Sequence, residues 1–155
     1  MRSIYKIVVC SLLTLSITSC EKDLLEKEQY QKEIYLIGAY NRVWTTEVSY
    51  SNEEVKTYFT VSSSGTLALD RDVNVKMKIN EELVDIYNKK YWTVLNEDKY
   101  YKSLDTDLYS IPSLENTVIK HAEGISAEVP VLIKTASLKI DQSYVIPVEI
   151  ESTTG

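Results

Sequence analysis

Val73-Asn74-Val75-Lys76-Met77-Lys78-Ile79 alternates apolar and polar side chains without a fault. In an extended chain, residues two apart share a face, so Val73, Val75, Met77 and Ile79 line a dry side and Asn74, Lys76 and Lys78 a wet one. This is a half-buried strand. Upstream, Val55-Lys56-Thr57-Tyr58-Phe59-Thr60-Val61 repeats the rhythm with Val55, Phe59 and Val61 inward, and Ser62-Ser63-Ser64-Gly65 supplies turn chemistry to end it. Downstream, Tyr144, Ile146, Val148 and Ile150 alternate with Val145, Pro147, Glu149 and Glu151. Pro147 has no N–H to donate, so this strand is expected at an edge or with a bulge there.

Shorter strand signals lie at residues 33–37, 42–50, 108–111, 117–120 and 127–134. The last two flank His121-Ala122-Glu123-Gly124, which reads as a hairpin turn with Gly124 at positive φ. One segment breaks the pattern. Asn80 is suited to cap a helix starting at Glu81, whose acidic pair Glu81 and Glu82 favours the positive end of the dipole, with Leu83, Ile86, Tyr87 and the Lys90 stem on one face. A second short helical turn is expected at residues 96–101. Short strands at roughly ten-residue intervals with one inserted helix predict a mostly β protein, a two-sheet Greek-key β-sandwich and not a parallel α/β sheet. Tyr144, which opens a late strand after a corner, fits a tyrosine corner bonded to upstream backbone.

The chain has 155 residues, 17 basic and 23 acidic. One domain is expected. Its first 19 residues read as an export signal: Arg2 and Lys6 precede an apolar run, Ile7 to Ile17, that as a helix spans roughly 16 Å, short of a bilayer core of ~30 Å. Removing those two cations takes the formal charge from −6 to −8. The sign is wrong for nucleic acid, which needs clustered Lys and Arg. Ile17-Thr18-Ser19-Cys20 resembles a lipobox, making Cys20 the acylated mature N-terminus and the membrane a partner through its lipid. The other cysteine, Cys10, is discarded with the signal, so no thiol remains for a disulfide, metal or nucleophile. Residues 20–32 are charged and mostly acidic and read as a tether. They resemble the acidic motif that follows the cysteine in surface-exposed Bacteroidetes outer-membrane lipoproteins.

An alternating strand, then Asn80-Glu81-Glu82-Leu83-Val84-Asp85-Ile86-Tyr87-Asn88, then Tyr100-Tyr101, Thr117-Val118-Ile119 with a glycine turn, and Tyr144-Val145-Ile146-Pro147-Val148 together resemble the Bacteroidetes N-terminal lipoprotein domain of unknown function. The resemblance spans residues 33–151, with 152–155 as a terminal remnant or linker. It implies an immunoglobulin-like sandwich near the membrane, commonly followed by a carbohydrate-active or carbohydrate-binding module, as in family 18 endoglycosidase-like proteins. Gly155 falls where such a module would begin, the pattern of a truncated product or a stand-alone copy.

The residue inventory argues against chemistry. A triad needs a base, and the one histidine, His121, sits in a turn. The usual zinc sets need more histidine or thiol than the chain holds. Glycoside hydrolysis needs only two carboxylates, yet Glu53-Glu54, Glu81-Glu82 and Glu97-Asp98 fall in polar turns or at a helix start. Asp70-Arg71-Asp72 and Asp105-Thr106-Asp107 could offer oxygens to calcium, without an EF-hand loop around them. No catalytic residue, metal or cofactor is expected.

Tyrosine is plentiful, twelve in all, beside Trp44, Trp92 and Phe59. Such rings present an apolar face with a polar edge, and sugars stack on those faces. Tyr91, Trp92, Tyr100 and Tyr101, close to Asn88, Asn96, Glu97 and Asp98, form the candidate glycan platform; the competing reading is that Tyr87 and Tyr91 pack the helix onto the sandwich. The expected function is a non-enzymatic, lipid-anchored surface module that captures glycan or acts as spacer beside glycan-importer components. Two alternatives are the accessory domain of a truncated surface glycosidase, and an adhesin or assembly subunit exchanging a strand at the Pro147 edge.

Overall fold

The computed structural model describes residues 31–39, 43–65, 67–139 and 142–155; the export signal, Cys20 and most of the tether lie outside the described residues. Strands β1 (Ile34–Leu36), β2 (Glu54–Ser63) and β3 (Val73–Ile79) precede α1 (Glu82–Tyr91), the one α-helix among the described residues. After it come β4 (Lys102–Ser103), β5 (Tyr109–Ser110), β6 (Thr117–Ile119), β7 (Ser126–Lys134), β8 (Tyr144–Val145) and β9 (Val148–Thr154).

Two antiparallel sheets form, ordered β1-β2-β7-β5 and β6-β3-β9, beside a short parallel pair of β4 and β8. They face each other across one core. Val61 and Val129 from the first sheet meet Val75, Met77 and Ile119 from the second, each at most 1% exposed. Burying a side chain of this kind contributes about 1.5–3 kcal/mol, so Val75 and Met77, the dry face of β3, help hold the second sheet on the first. The architecture is a mostly β sandwich with one short helix. This pairing alone does not establish an immunoglobulin-like Greek key.

β3 runs over the residues expected of it, wet and dry faces included. Other expectations need correction. β2 does not stop at Val61: Ser62 and Ser63 continue it, both buried, because they pair with β1 and Ser62 Oγ donates to the Ile125 carbonyl at 3.2 Å. Residues 43–50 form no strand. Side chains tie them to the sandwich: Val48 packs on the cluster of Leu104, Val131 and Ile133, and the Thr135 hydroxyl, which accepts from Ser51 N–H at 2.9 Å, lies within donor reach of the Ser49 carbonyl at 3.1 Å. Gly124 has φ of 127°, as its turn required. That turn is no hairpin, since β6 pairs with β3 while β7 pairs with β2 and β5; it carries the chain from one sheet to the other. Residues 144–151 are two strands, not one. The break is at Ile146-Pro147, where the chain crosses from β4 to the edge of the second sheet, and β9 then continues past residue 151 to Thr154. A second proline, Pro130, lies inside β7 opposite Tyr58. It is tolerated because β5 covers only Leu132 and Ile133, which leaves that flank of β7 open at Pro130.

The helix begins one residue later than expected, with the Asn80 side-chain oxygen accepting from Glu82 N–H at 3.2 Å. Its buried face is also rotated. Val84 and Asn88 point inward while Ile86 and Lys90 are exposed.

The register fixes which ends of the strands lie together. Ile34, Ser63, Ser126, Ile119, Val73 and Thr154 share one pole of the sandwich. Glu33 exchanges hydrogen bonds with Ser64, N–H to Oγ and carbonyl to N–H, both at 2.8 Å. Gly155 sits against Asp72 and Val73. Residues 33 and 155 therefore leave from the same pole, and α1, which follows the other end of β3, caps the opposite one.

At Gly38 the backbone has φ of +86°, and a Cβ there would lie 2.6 Å from Trp44 Cε3. Gly38→Ala is expected to cost about 1–2 kcal/mol through the strained φ alone, read as a lowered midpoint in a urea titration with an unchanged slope.

Candidate functional site

Asn88 is the residue that organises the helical pole. It is 4% exposed on the inner face of α1, where an unbonded carboxamide would be costly. Its Nδ2 donates to the Tyr101 carbonyl at 2.9 Å and its Oδ1 accepts from the Tyr101 N–H at 3.0 Å. One side chain thus imitates a strand partner and clamps the segment after the helix in place. The sequence carried a signal for this: a polar residue four positions after Val84, on the buried stripe.

The clamp arranges the aromatic residues. Tyr101 meets Tyr87 edge-on, ring centroids 5.5 Å apart at 63°, and Tyr87 meets Tyr91 at 4.5 Å and 36°. Trp92, half-buried, closes the helix by donating its N–H to the Asn88 carbonyl at 2.9 Å, and Lys99 Nζ lies 5.5 Å above its ring. Its indole N–H is buried and has no partner among the described residues. Tyr91, Trp92, Tyr100 and Tyr101 lie on and just after the helix. Their rings do not make a flat shared platform. Tyr87 and Tyr101 pack the helix on the sandwich, Tyr91 is exposed at the margin, and Tyr100 turns toward a different surface. Beyond them, in the turn Val94–Lys99, Val94 is 76% and Leu95 93% exposed.

Two clefts open at this pole. One is apolar, about 1050 Å³, between the inner face of the first sheet at Phe59, Val131 and Ile133 and the layer formed by Tyr87, Leu104 and Ile146. It lies over the second, smaller core cluster of Leu104, Val131 and Ile133. The other is polar, about 380 Å³, lined by Asp98, Lys99, Tyr100, Lys139, Gln142 and Ser143. Tyr144 lines the apolar one, and its hydroxyl accepts from Lys139 N–H at 3.4 Å, a long version of the expected corner bond.

The titratable groups elsewhere serve structure. Asp72 accepts from both the His121 ring at 2.6 Å and the His121 N–H at 3.0 Å, and these bonds hold its carboxyl below the usual range. They fasten the sheet-to-sheet turn to the start of β3. Lys76 and Glu151, 2.7 Å apart across β3 and β9, shift each other in the charged direction, Lys76 up and Glu151 down. A general acid would need its carboxyl raised; both displaced carboxyls move the other way. Burial and the nearby Glu81 push the Tyr109 hydroxyl up, and that hydroxyl has no hydrogen-bond partner among the described residues. Asp105 caps a turn through Asp107 N–H at 3.2 Å. Among the described residues, no three His, Cys, Asp or Glu side chains converge as a metal site would require.

Comparisons place this geometry among known proteins. A family model described as an N-terminal domain matches residues 30–155. No curated protein matches the chain. Three solved structures share the fold at low identity. A Bacteroides ovatus protein of unknown function has a TM-score of 0.60 at 13% identity over 76% of this chain. A multidomain protein including DUF1735, also from Bacteroides ovatus, has 0.55 at 17% over 66%. EndoBT-3987 from Bacteroides thetaiotaomicron, solved with Man5GlcNAc product, has 0.50 at 22% over 67%. The chain spans only 39%, 33% and 23% of those three proteins. It belongs to this N-terminal-domain family, a Bacteroidetes domain of unknown function.

Proposed function

We propose that the chain is a lipid-anchored, non-enzymatic accessory module on the outer face of the outer membrane, working within a glycan-utilisation system. The observation that carries this is its match, over residues 30–155, to a domain type occupying the N-terminal position. One fold neighbour, roughly three times as long, was solved with a glycan product. The lipobox-like Ile17-Thr18-Ser19-Cys20 supports the anchor. The shared pole of residues 33 and 155 argues against a linear spacer, which would have its two ends at opposite poles. The module instead stands to the side of the chain's path and presents its helical pole outward.

A sugar contact at that pole is favoured by one arrangement. Tyr100 borders a polar cleft with Asp98, Gln142 and Ser143, so a single ring is accompanied by hydrogen-bonding groups. The expected result is weak, millimolar binding of Man5GlcNAc in saturation-transfer NMR. It should be lost in Tyr100→Ala and Gln142→Ala combined and retained in Trp92→Ala, whose ring is half-covered. Absence of saturation transfer from Man5GlcNAc and from a broad glycan array would remove the sugar contact, and hydrolysis of any of these glycans at enzymic rates would overturn the accessory reading.

A further inference from the structure

The apolar and polar clefts are not separate: Lys139, Gln142 and Ser143 line both. A greasy trough thus runs into a polar mouth. Along the trough the walls include Phe59, Leu104, Val131, Ile133 and Ile146, and among the described residues the charged lining residues are Glu47 and Lys139. Among the described residues at the mouth, Lys99 and Lys139 stand against Asp98. The Lys99 ammonium is engaged over the Trp92 ring, whereas Lys139 is exposed and its ammonium has no ion pair among the described residues. The trough is at the upper end of the size range of small-molecule sites, which are mostly apolar with a few convergent polar groups.

We propose that the two clefts form one site for a single-chain amphiphile with an anionic head, such as a long-chain fatty acid. Its chain would lie over Val131 and Ile133, and its carboxylate would meet Lys139 at the junction with Gln142 and Ser143. The chain length buried would govern affinity, and the head would set orientation through one charge-assisted hydrogen bond. Glu47 lies on the 43–50 segment, so the proposal places the head at the Lys139 end and not there.

The test uses the unacylated full chain carrying Cys20→Ala, so that no detergent competes. Palmitate is titrated by isothermal calorimetry, with hexadecanol and a hexadecyl glucoside as neutral heads on the same chain. Saturable binding with one palmitate per chain is expected, at least tenfold tighter than either neutral analogue. Val131→Phe, which fills the trough, should weaken all three amphiphiles at least tenfold. Lys139→Glu, an exposed change that leaves the core alone, should weaken palmitate tenfold or more and leave hexadecanol unchanged. Absence of saturable palmitate binding would overturn the site. Equal binding of the neutral analogues, or palmitate affinity unmoved by Lys139→Glu, would overturn the anionic head. Should Val131→Phe fail to fold, Lys139→Glu still decides. Man5GlcNAc binding is read in a separate titration, so loss of palmitate binding with sugar binding retained, or the reverse, tells failure of this site from failure of the sugar contact.

Discussion

Cys20→Ala is expected to move the protein from the membrane fraction to the soluble fraction almost completely. The physical reason is chain number. Each buried acyl CH₂ contributes about 0.8 kcal/mol, and while one myristoyl chain holds a protein only reversibly, several on one residue make dissociation negligible. With the thiol gone there is nothing to acylate, and among the described residues no helix is long and apolar enough to cross a membrane. Fractionation of cells, with metabolic palmitate labelling of the wild type, reads the effect. Cys10→Ala serves as the control and should change nothing, because under the proposed anchor that cysteine falls in the segment removed on export. A Cys20→Ala protein still sedimenting with outer membrane after high-salt washing would sink the anchor.

Asn88→Ala should be among the most damaging substitutions in the folded part. It leaves the Tyr101 N–H and carbonyl without their partner, at about 1–3 kcal/mol for each buried polar group stranded. The expected loss is about 2–4 kcal/mol, on the order of 10 °C in melting temperature for a domain of this size. Asn88→Asp should be worse than a one-atom change suggests. The carboxylate can still accept from Tyr101 N–H, but it faces the Tyr101 carbonyl with a second acceptor and carries a charge into a site that is 4% exposed. Near-ultraviolet circular dichroism should lose the tyrosine signal of the helical pole in both variants before the β-sheet signal at shorter wavelength falls. A melting temperature within two degrees of wild type would show that the clamp holds nothing.

How much of this was legible before folding differs from element to element. β3 could be read because both faces of the strand speak: a wet face and a dry one leave a period of two, and the strand has the same limits in the structure. Residues 42–50 carried a similar composition and form no strand over 43–50, because Trp44 and Tyr50 remain exposed and nothing pairs with their backbone. Local pattern says what a segment can bury and not whether a neighbour arrives. The Gly124 turn shows the same limit. Its conformation was local and predictable, but whether it joins two strands of one sheet or crosses between sheets depends on the partners β2 and β3, some fifty residues upstream. At the candidate site, the aromatic residues were picked out by type, and their tilt was not, since the angle between Tyr87 and Tyr101 is set by the Asn88 clamp. The clefts had no linear signature. Lys139 reaches both only because β8 pairs in parallel with β4 and brings residues 142–146 beside the helix.

The common exit of residues 33 and 155 has a mechanical consequence. β1 and β9 are edge strands, each paired along one flank only, and each is gripped from the pole where its first rungs lie, Ile34 with Ser63 and Thr154 with Asn74. A pull between the two ends loads those rungs one after another instead of shearing a whole ladder at once. The sandwich should open under tension like a zip, at low force, and yield well before a domain gripped from opposite poles.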